Sequence, residues 1–170
     1  MNIFYLHDNA WLVPKMMTDK HVVKMIVETA QLLSTAHHVL DEGNAINGIY
    51  KKTHVNHPSA IWTRESIGNY LWLRNHGLAL LNEYALRYKK QPHDHATYSV
   101  ITTLKYPPMN MMNNFNKTPM RIAITDTKYH VKDDPIKSYR NYYEGEKLRT
   151  DTDKIRYFKM LDEINKSMIQ

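Results

Sequence analysis

The sequence predicts a mainly α protein: a single compact helical domain over residues 1–170, built on two long antiparallel helices behind a short extended N-terminal segment. Three observations carry this. Apolar residues recur at helical spacing through Asp19–His38 and again through Asn56–Tyr88. Weak alternation with strand-forming residues is confined to Met1–Leu6. Both long stretches open on helix-start signals, Thr18-Asp19 and Asn56-His57-Pro58. The hydrophobic fraction of 42% and charged fraction of 24% are ordinary for a globular chain of 170 residues, long enough for a real core.

Along the chain, Met1–Leu6 reads as a short strand or an extended segment. Asp8 or Asn9 caps a short helix containing Trp11, Leu12 and Val13, with Pro14 in its first turn or at its end. The first long helix runs from Asp19 to about Val39 or Leu40 and stops before Gly43. Asp41–Val55 is a loop with turn residues Gly43, Asn44, Asn47 and Gly48 and a basic end at Lys51, Lys52 and His54. Gly68 and Gly77 inside the second long stretch point to close helix packing or to a break into two segments. A third, weaker helix spans Pro92 or His93 to Leu104. Residues 106–134 are loop-rich, with Pro107, Pro108, the MNMMNN run and Pro119. A helix starts at Asp133-Asp134-Pro135. A last one spans Asp153–Ser167, with Ile155, Phe158, Met160, Leu161 and Ile164 on or near its apolar face.

Composition excludes several classes of function. There is no cysteine, hence no disulfide and no thiolate metal site. His93-Asp94-His95 lacks a third ligand at a recognisable spacing, so neither a metal nor another cofactor is expected. Phosphate-loop, GxGxxG, GxSxG and HExxH motifs are absent, which argues against nucleotide hydrolysis and dinucleotide binding. No apolar run is long enough for a membrane span, and the first residues do not read as a signal peptide. A cytoplasmic location is expected, that of the host cell if the chain is phage-encoded. The net charge of +6 and pI near 9.3 favour a polyanionic partner, DNA or a small nucleotide. Oligomeric state is not legible.

Three constellations could carry chemistry. On the first long helix His21, Lys24, Glu28 and Gln31 follow steps of three, four and three, placing imidazole, ammonium, carboxylate and amide on one stripe. The stripe is either an ordinary solvated face with a Lys24–Glu28 pair or a site in which the carboxylate does acid–base or electrostatic work. The turn holding Asn56 and His57, with Trp62 and Arg64 beyond it, is a helix cap or a phosphate site. Trp62, Ser66, Asn69 and Leu73 make a half-polar face that could complete a pocket against the first helix. Tyr139, Arg140, Tyr142 and Tyr143 interleave aromatic and basic groups, either to stack on bases or to bury a tyrosine face.

These residues resemble the pyrimidine-dimer DNA glycosylases of the endonuclease V type. That family carries an Asp-x-His pair followed, seven residues after the His, by its catalytic Glu; Asp19, His21 and Glu28 stand in that spacing. Its C-terminal Trp-Tyr-Lys-Tyr-Tyr-Gly segment is similar to Ser138–Tyr143 with Gly145, one residue being inserted before the Gly. The chain is also similar to a family common in tailed phages, marked by DKHVVKM and NHPSAIW. The resemblance implies excision of a damaged or modified pyrimidine, with AP-lyase activity where an amine is the nucleophile. Glu28 would stabilise the developing positive charge and handle protons, in a catalytic set with His21, Lys24 and Met1. His57, Arg64, Arg140 and Tyr142 would hold phosphates and bases. Two departures stand out. The family exposes the α-amino group of a small residue by removing Met, whereas Asn2, a side chain that usually leaves Met in place, follows Met1 here. The arginines flanking the family's Glu are replaced by Val27 and Gln31, with Lys24 supplying part of that charge. The alternative is a non-catalytic phage accessory or counter-defence protein that binds nucleic acid or a small nucleotide in the same polar pocket.

Overall fold

The computed structural model describes residues 1–167. It is all-helical, with no strand among the described residues: α1 (Val13–Met16), α2 (Asp19–Leu40), α3 (Pro58–Glu65), α4 (Ile67–Tyr88), α5 (Tyr98–Thr103), α6 (Pro135–Glu146) and α7 (Asp151–Ser167). Among these residues no helix is long and apolar enough to cross a membrane. Residues 1–6 form no regular element and turn at Phe4, and Ile3, Phe4, Tyr5 and Leu6 are buried.

Two antiparallel helices, α2 and α4, form the centre. Arg87, near the end of α4, donates to Asp19 at the start of α2 at 2.9 Å, and also to the carbonyls of Met17 and Pro14. At the other end Tyr70 of α4 meets His37 of α2 at 2.9 Å and donates to Leu104 O. The buried side of α2 carries Val22, Met25, Ile26, Leu32 and Leu33. Its start is fixed by Thr18, whose hydroxyl accepts from His21 N.

Both readings of the two glycines hold. The Asn56–Tyr88 stretch breaks at Ser66, which is extended (ψ 156°) and caps α4 by accepting from Asn69 N. Gly77 sits where a Cβ would meet Thr29 of α2 and Ile101 of α5, each at 3.1 Å. Gly68 sits under a crossing chain: a Cβ there would lie 2.5 Å from Phe115 O and 2.7 Å from Lys117 N.

Three expected helices differ in detail. The first begins at Val13, with Leu12 at its cap and Trp11 before it. The stretch from Pro92 holds a single 3₁₀ turn, Pro92–Asp94, and then α5. The Asp94 carboxylate accepts from Gln91 N and His95 Nδ1 accepts from Thr97 N, local bonds that compete with a continuous helix. In α7 the buried residues are Tyr157 and Ile164, while Ile155 and Phe158 are exposed. Tyr157 sets this rotation by stacking on Tyr143 and donating to Glu144 at 2.8 Å.

The close approach at Gly68 is testable. Ala normally gains about 1 kcal/mol over Gly in a helix. Here a methyl group would meet backbone that cannot rotate away, and overpacking costs about 1–3 kcal/mol. Gly68→Ala is therefore expected to lower the urea midpoint, whereas a Gly→Ala change in open helix would raise it. A second test concerns pH. Burial holds His76 at about 4, against 6.5 in an unfolded chain, and its ring nitrogens have no hydrogen-bond partner among the described residues. Between those two values the unfolded chain takes up the proton and the folded one does not. Stability should thus fall as pH drops from about 6.5 towards 4, by at most about 1.4 kcal/mol per pH unit for this group. His76→Phe is expected to shrink the difference in Tm between pH 7 and pH 4.5.

Candidate functional site

Glu28 lies midway along α2, facing the N-terminal residues. Its relative exposure is 9%, so its charge needs partners. The Asn2 backbone N–H donates to Oε2 at 2.9 Å, and Lys24 Nζ, one turn back, lies 3.2 Å from Oε1. The Asn2 side chain fixes this approach. Its Oδ1 accepts from Ile3 N and Phe4 N at 2.8 and 2.9 Å, and its Nδ2 donates to Ala123 O at 3.2 Å. The turn drives Phe4 to φ 55°, a left-handed conformation that a bulky residue rarely adopts.

Around the carboxylate opens a cleft of about 340 Å³, whose walls include Met1, Lys24, His57, Thr125 and Tyr142. That is near the lower end of the roughly 300–1,000 Å³ range of small-molecule sites, a size for one nucleotide unit. His57 is the N-cap of α3, and its Nδ1 accepts from Ser59 N at 3.2 Å. The proton of the neutral ring therefore sits on Nε2. Burial, then the N-terminal ammonium, then His54 hold its pKa below the usual value. His57 is thus a neutral donor at pH 7.

His21 stands behind the cleft. Its ring stacks on Phe4 at 4.4 Å and its Nδ1 lies 2.8 Å from Tyr143 Oη. Tyr143 Oη accepts from Thr18 N at 2.9 Å, which leaves its own proton for Nδ1. Burial and the nearby Lys147 and Lys24 lower His21 to about 4, in keeping with a neutral ring that accepts at Nδ1.

The structure thus brings Met1, Lys24, Glu28, His57 and Tyr142 to one cleft, with His21 adjoining it. Gln31 is half-buried further along the same stripe, and Asn56 is exposed just before His57. The other expected contacts have polar atoms that are engaged within the protein. Trp62 is fully buried and donates to Thr118 O. Asn69 is also buried and exchanges three bonds with Trp62 O, Thr118 Oγ1 and Thr118 N. Arg64 donates to Val55 O at 2.7 Å, tying down the loop before α3, and Arg140 donates to Leu6 O at 2.9 Å. Tyr139 and Tyr143 are core residues, and the Tyr139 hydroxyl accepts from Ala123 N. The half-polar face of Trp62, Ser66 and Asn69 therefore binds chain, not ligand. Sequence reasoning missed Asn2, Phe4, Ala123 and Thr125. Only Asn2 carried a signal, as a residue prone to bond the backbone one or two positions on.

The family described as pyrimidine dimer DNA glycosylase matches residues 1–96. The chain belongs to this family. The matched part holds α1 to α4 and with them the N-terminal segment, Lys24, Glu28 and His57. No curated protein and no solved structure matches the chain. Membership supports a pyrimidine dimer DNA glycosylase-like function, with DNA as the substrate that the family implies. Thr125 and Tyr142, on the opposite wall, come from outside the matched part.

The anchoring role of Asn2 has a direct readout. Asn2→Ala removes both bonds of Oδ1 and the one to Ala123 while leaving the backbone N–H to Glu28 possible. At about 1 kcal/mol net per bond, the amides of Ile3 and Phe4 are expected to exchange with solvent at least about tenfold faster, with helix signals elsewhere unchanged.

Proposed function

We propose that the chain excises a pyrimidine lesion from DNA, with Glu28 assisting departure of the base and the amino terminus of the chain acting as nucleophile. The observation that carries this reading is the hydrogen bond from Asn2 N to Glu28 Oε2, which holds the start of the chain against a buried carboxylate inside a nucleotide-sized cleft. Such a carboxylate is placed both to take a proton and to oppose positive charge growing on a sugar.

The chemistry balances as follows. The free amine attacks the sugar C1′, and the glycosidic bond breaks with its electron pair moving to the base, which takes up a proton. The nitrogen gives a proton to Glu28, which passes it to O4′ as the C1′–O4′ bond breaks with its electron pair on O4′, and the nitrogen lone pair forms a C1′=N iminium. Glu28, again a carboxylate, takes a C2′ proton, and the electrons of that C–H bond expel the 3′ phosphate and cut the strand. An unperturbed α-amine has a pKa of about 7.7–8.0, so part of it is free at neutral pH. Were Met1 removed, the amine would be the Asn2 nitrogen that already touches Glu28. With Met1 retained, its amine lies in the same cleft and close enough to His57 to lower that ring's pKa. Lys24, 3.2 Å from Glu28 with its side chain 59% exposed, is the other amine at the site. His57, donating from Nε2, and Tyr142, with its ring at the mouth, would hold the extruded nucleotide.

The experiment is incubation with duplexes carrying pyrimidine dimers, abasic sites or modified pyrimidines, followed by borohydride. A covalent adduct supports amine catalysis, and peptide mapping assigns it to the N-terminal or the Lys24 peptide. The intact mass shows whether Met1 is present. Glu28→Gln is expected to slow base release by about 10²-fold or more while DNA binding persists. Tight binding with no base release by the wild type would overturn the reading in favour of a non-catalytic binder. Base release without an adduct would instead assign attack to a water activated by Glu28.

A further inference from the structure

The geometry points to a phosphate track along α2, interrupted at Thr35, in which two further clefts flank the Glu28 cleft and grip the DNA backbone several nucleotides to either side of the lesion. This rests on DNA being the substrate of the Glu28 cleft and goes beyond it in naming where the flanking duplex lies.

The three clefts share one stripe of a single helix. At 3.6 residues per turn, Lys20, Lys24, Gln31 and His38 fall within about 40° of one another on α2, and the buried Thr35, bonded to Thr53 of the following loop, separates the last of them from the others. At the start of the stripe, a cleft of about 440 Å³ is bordered by Lys20, His21, Lys147 and Arg149. At its end, one of about 700 Å³ is bordered by His38, Lys51 and Lys52. With a rise of 1.5 Å per residue, these lie about 12 Å and about 15 Å along the helix from Glu28. DNA advances about 3.4 Å per nucleotide of a strand. The two clefts are therefore about four nucleotides to either side of the reacting sugar, a footprint of about eight base pairs.

The charges are free for this use. Among the described residues Lys20, Lys51, Lys52, Lys147 and Arg149 form no ion pair, unlike Lys128, which pairs with Asp126, and Arg156, which pairs with Asp19 and Asp153; Lys89 and Lys90 are equally unpaired but lie off the stripe. The carboxylates of the first flanking cleft are already engaged: Glu146 accepts from Tyr129 at 2.6 Å, and Asp153 accepts from Thr150 and pairs with Arg156. Glu42 borders the other cleft, outweighed there by two lysines. Lys147 also links its cleft to the reaction site, since its ammonium lies 4.7 Å from the centre of the Tyr142 ring. Of the residues lining this cleft, Glu146–Asp153 lie beyond the part that matches the family and Thr18, Lys20 and His21 within it.

The test is the salt dependence of binding to an undamaged 16-base-pair duplex, followed by fluorescence anisotropy, which needs no turnover. Each phosphate neutralised contributes about 0.9 to the slope of log K against log salt. The pair Lys51→Ala/Lys52→Ala and the pair Lys147→Ala/Arg149→Ala are each expected to flatten that slope by about 1–2. Lys89→Ala/Lys90→Ala, which removes equal charge from residues off the stripe, should leave it nearly unchanged. A six-base-pair duplex, about 20 Å long, cannot span the distance of about 27 Å between the flanking clefts, so on it the two stripe pairs should no longer flatten the slope additively. A slope that either stripe pair changes no more than the Lys89/Lys90 control would overturn the track, whatever the enzyme does to a lesion. Flattened slopes with no base release would support the track and overturn the catalytic reading instead.

Discussion

The bond between Asn2 N–H and the Glu28 carboxylate is the constraint around which the rest of the site is arranged. A carboxylate almost out of water is tolerable only with donors in reach, and a side chain from the next turn supplies just one. The other comes from the first residues of the chain. To deliver it, Asn2 folds the backbone over its own Oδ1, and Phe4 accepts a left-handed conformation. Strain of this kind persists only where surrounding contacts over-determine it. Here they are the stack of Phe4 on His21, the bond from Asn2 to Ala123, and the buried Ile3 and Leu6.

Those contacts pass the constraint outward. Ala123 is held by Tyr139 of α6, and Leu6 by Arg140 of the same helix. Residues 118–125 are tied at their start to Asn69 and Trp62, which explains why polar atoms sit at the junction of α3 and α4. Tyr143, one turn beyond Tyr139, reaches both the cap of α2 and His21. The aromatic segment thus serves the site mainly by holding the N-terminal residues and α2 in register, and Tyr142 alone of its tyrosines borders the cleft.

The division of labour follows the chain. The part that matches the glycosylase family carries the carboxylate, both candidate amines and the neutral His57 donor. The part beyond it closes the cleft with Thr125 and Tyr142 and adds the basic surface around Lys147 and Arg149. The charged groups of the cleft and the residues that close it over therefore lie on different parts of the chain, joined through the N-terminal segment.

The sequence by itself determined the two long helices, the cap at Thr18, the interruption near Gly68 and the stripe His21–Lys24–Glu28, because all of these follow from local spacing and local hydrogen bonds. It pointed to Glu28 through the spacing of Asp19, His21 and Glu28 that resembles the glycosylase family, whereas the helical pattern alone left an ordinary solvated face open. What only the tertiary structure decided is which polar residues line the cleft and which bond the chain. Trp62, Asn69, Arg140 and Tyr143 look like ligand contacts by residue type, yet each is used up by a backbone group between 7 and 134 positions away. Asn2 looks like an ordinary second residue until α2 passes beneath it. A hydrogen-bonding side chain carries no mark of its partner, so its role is fixed only when packing brings a donor or an acceptor into reach.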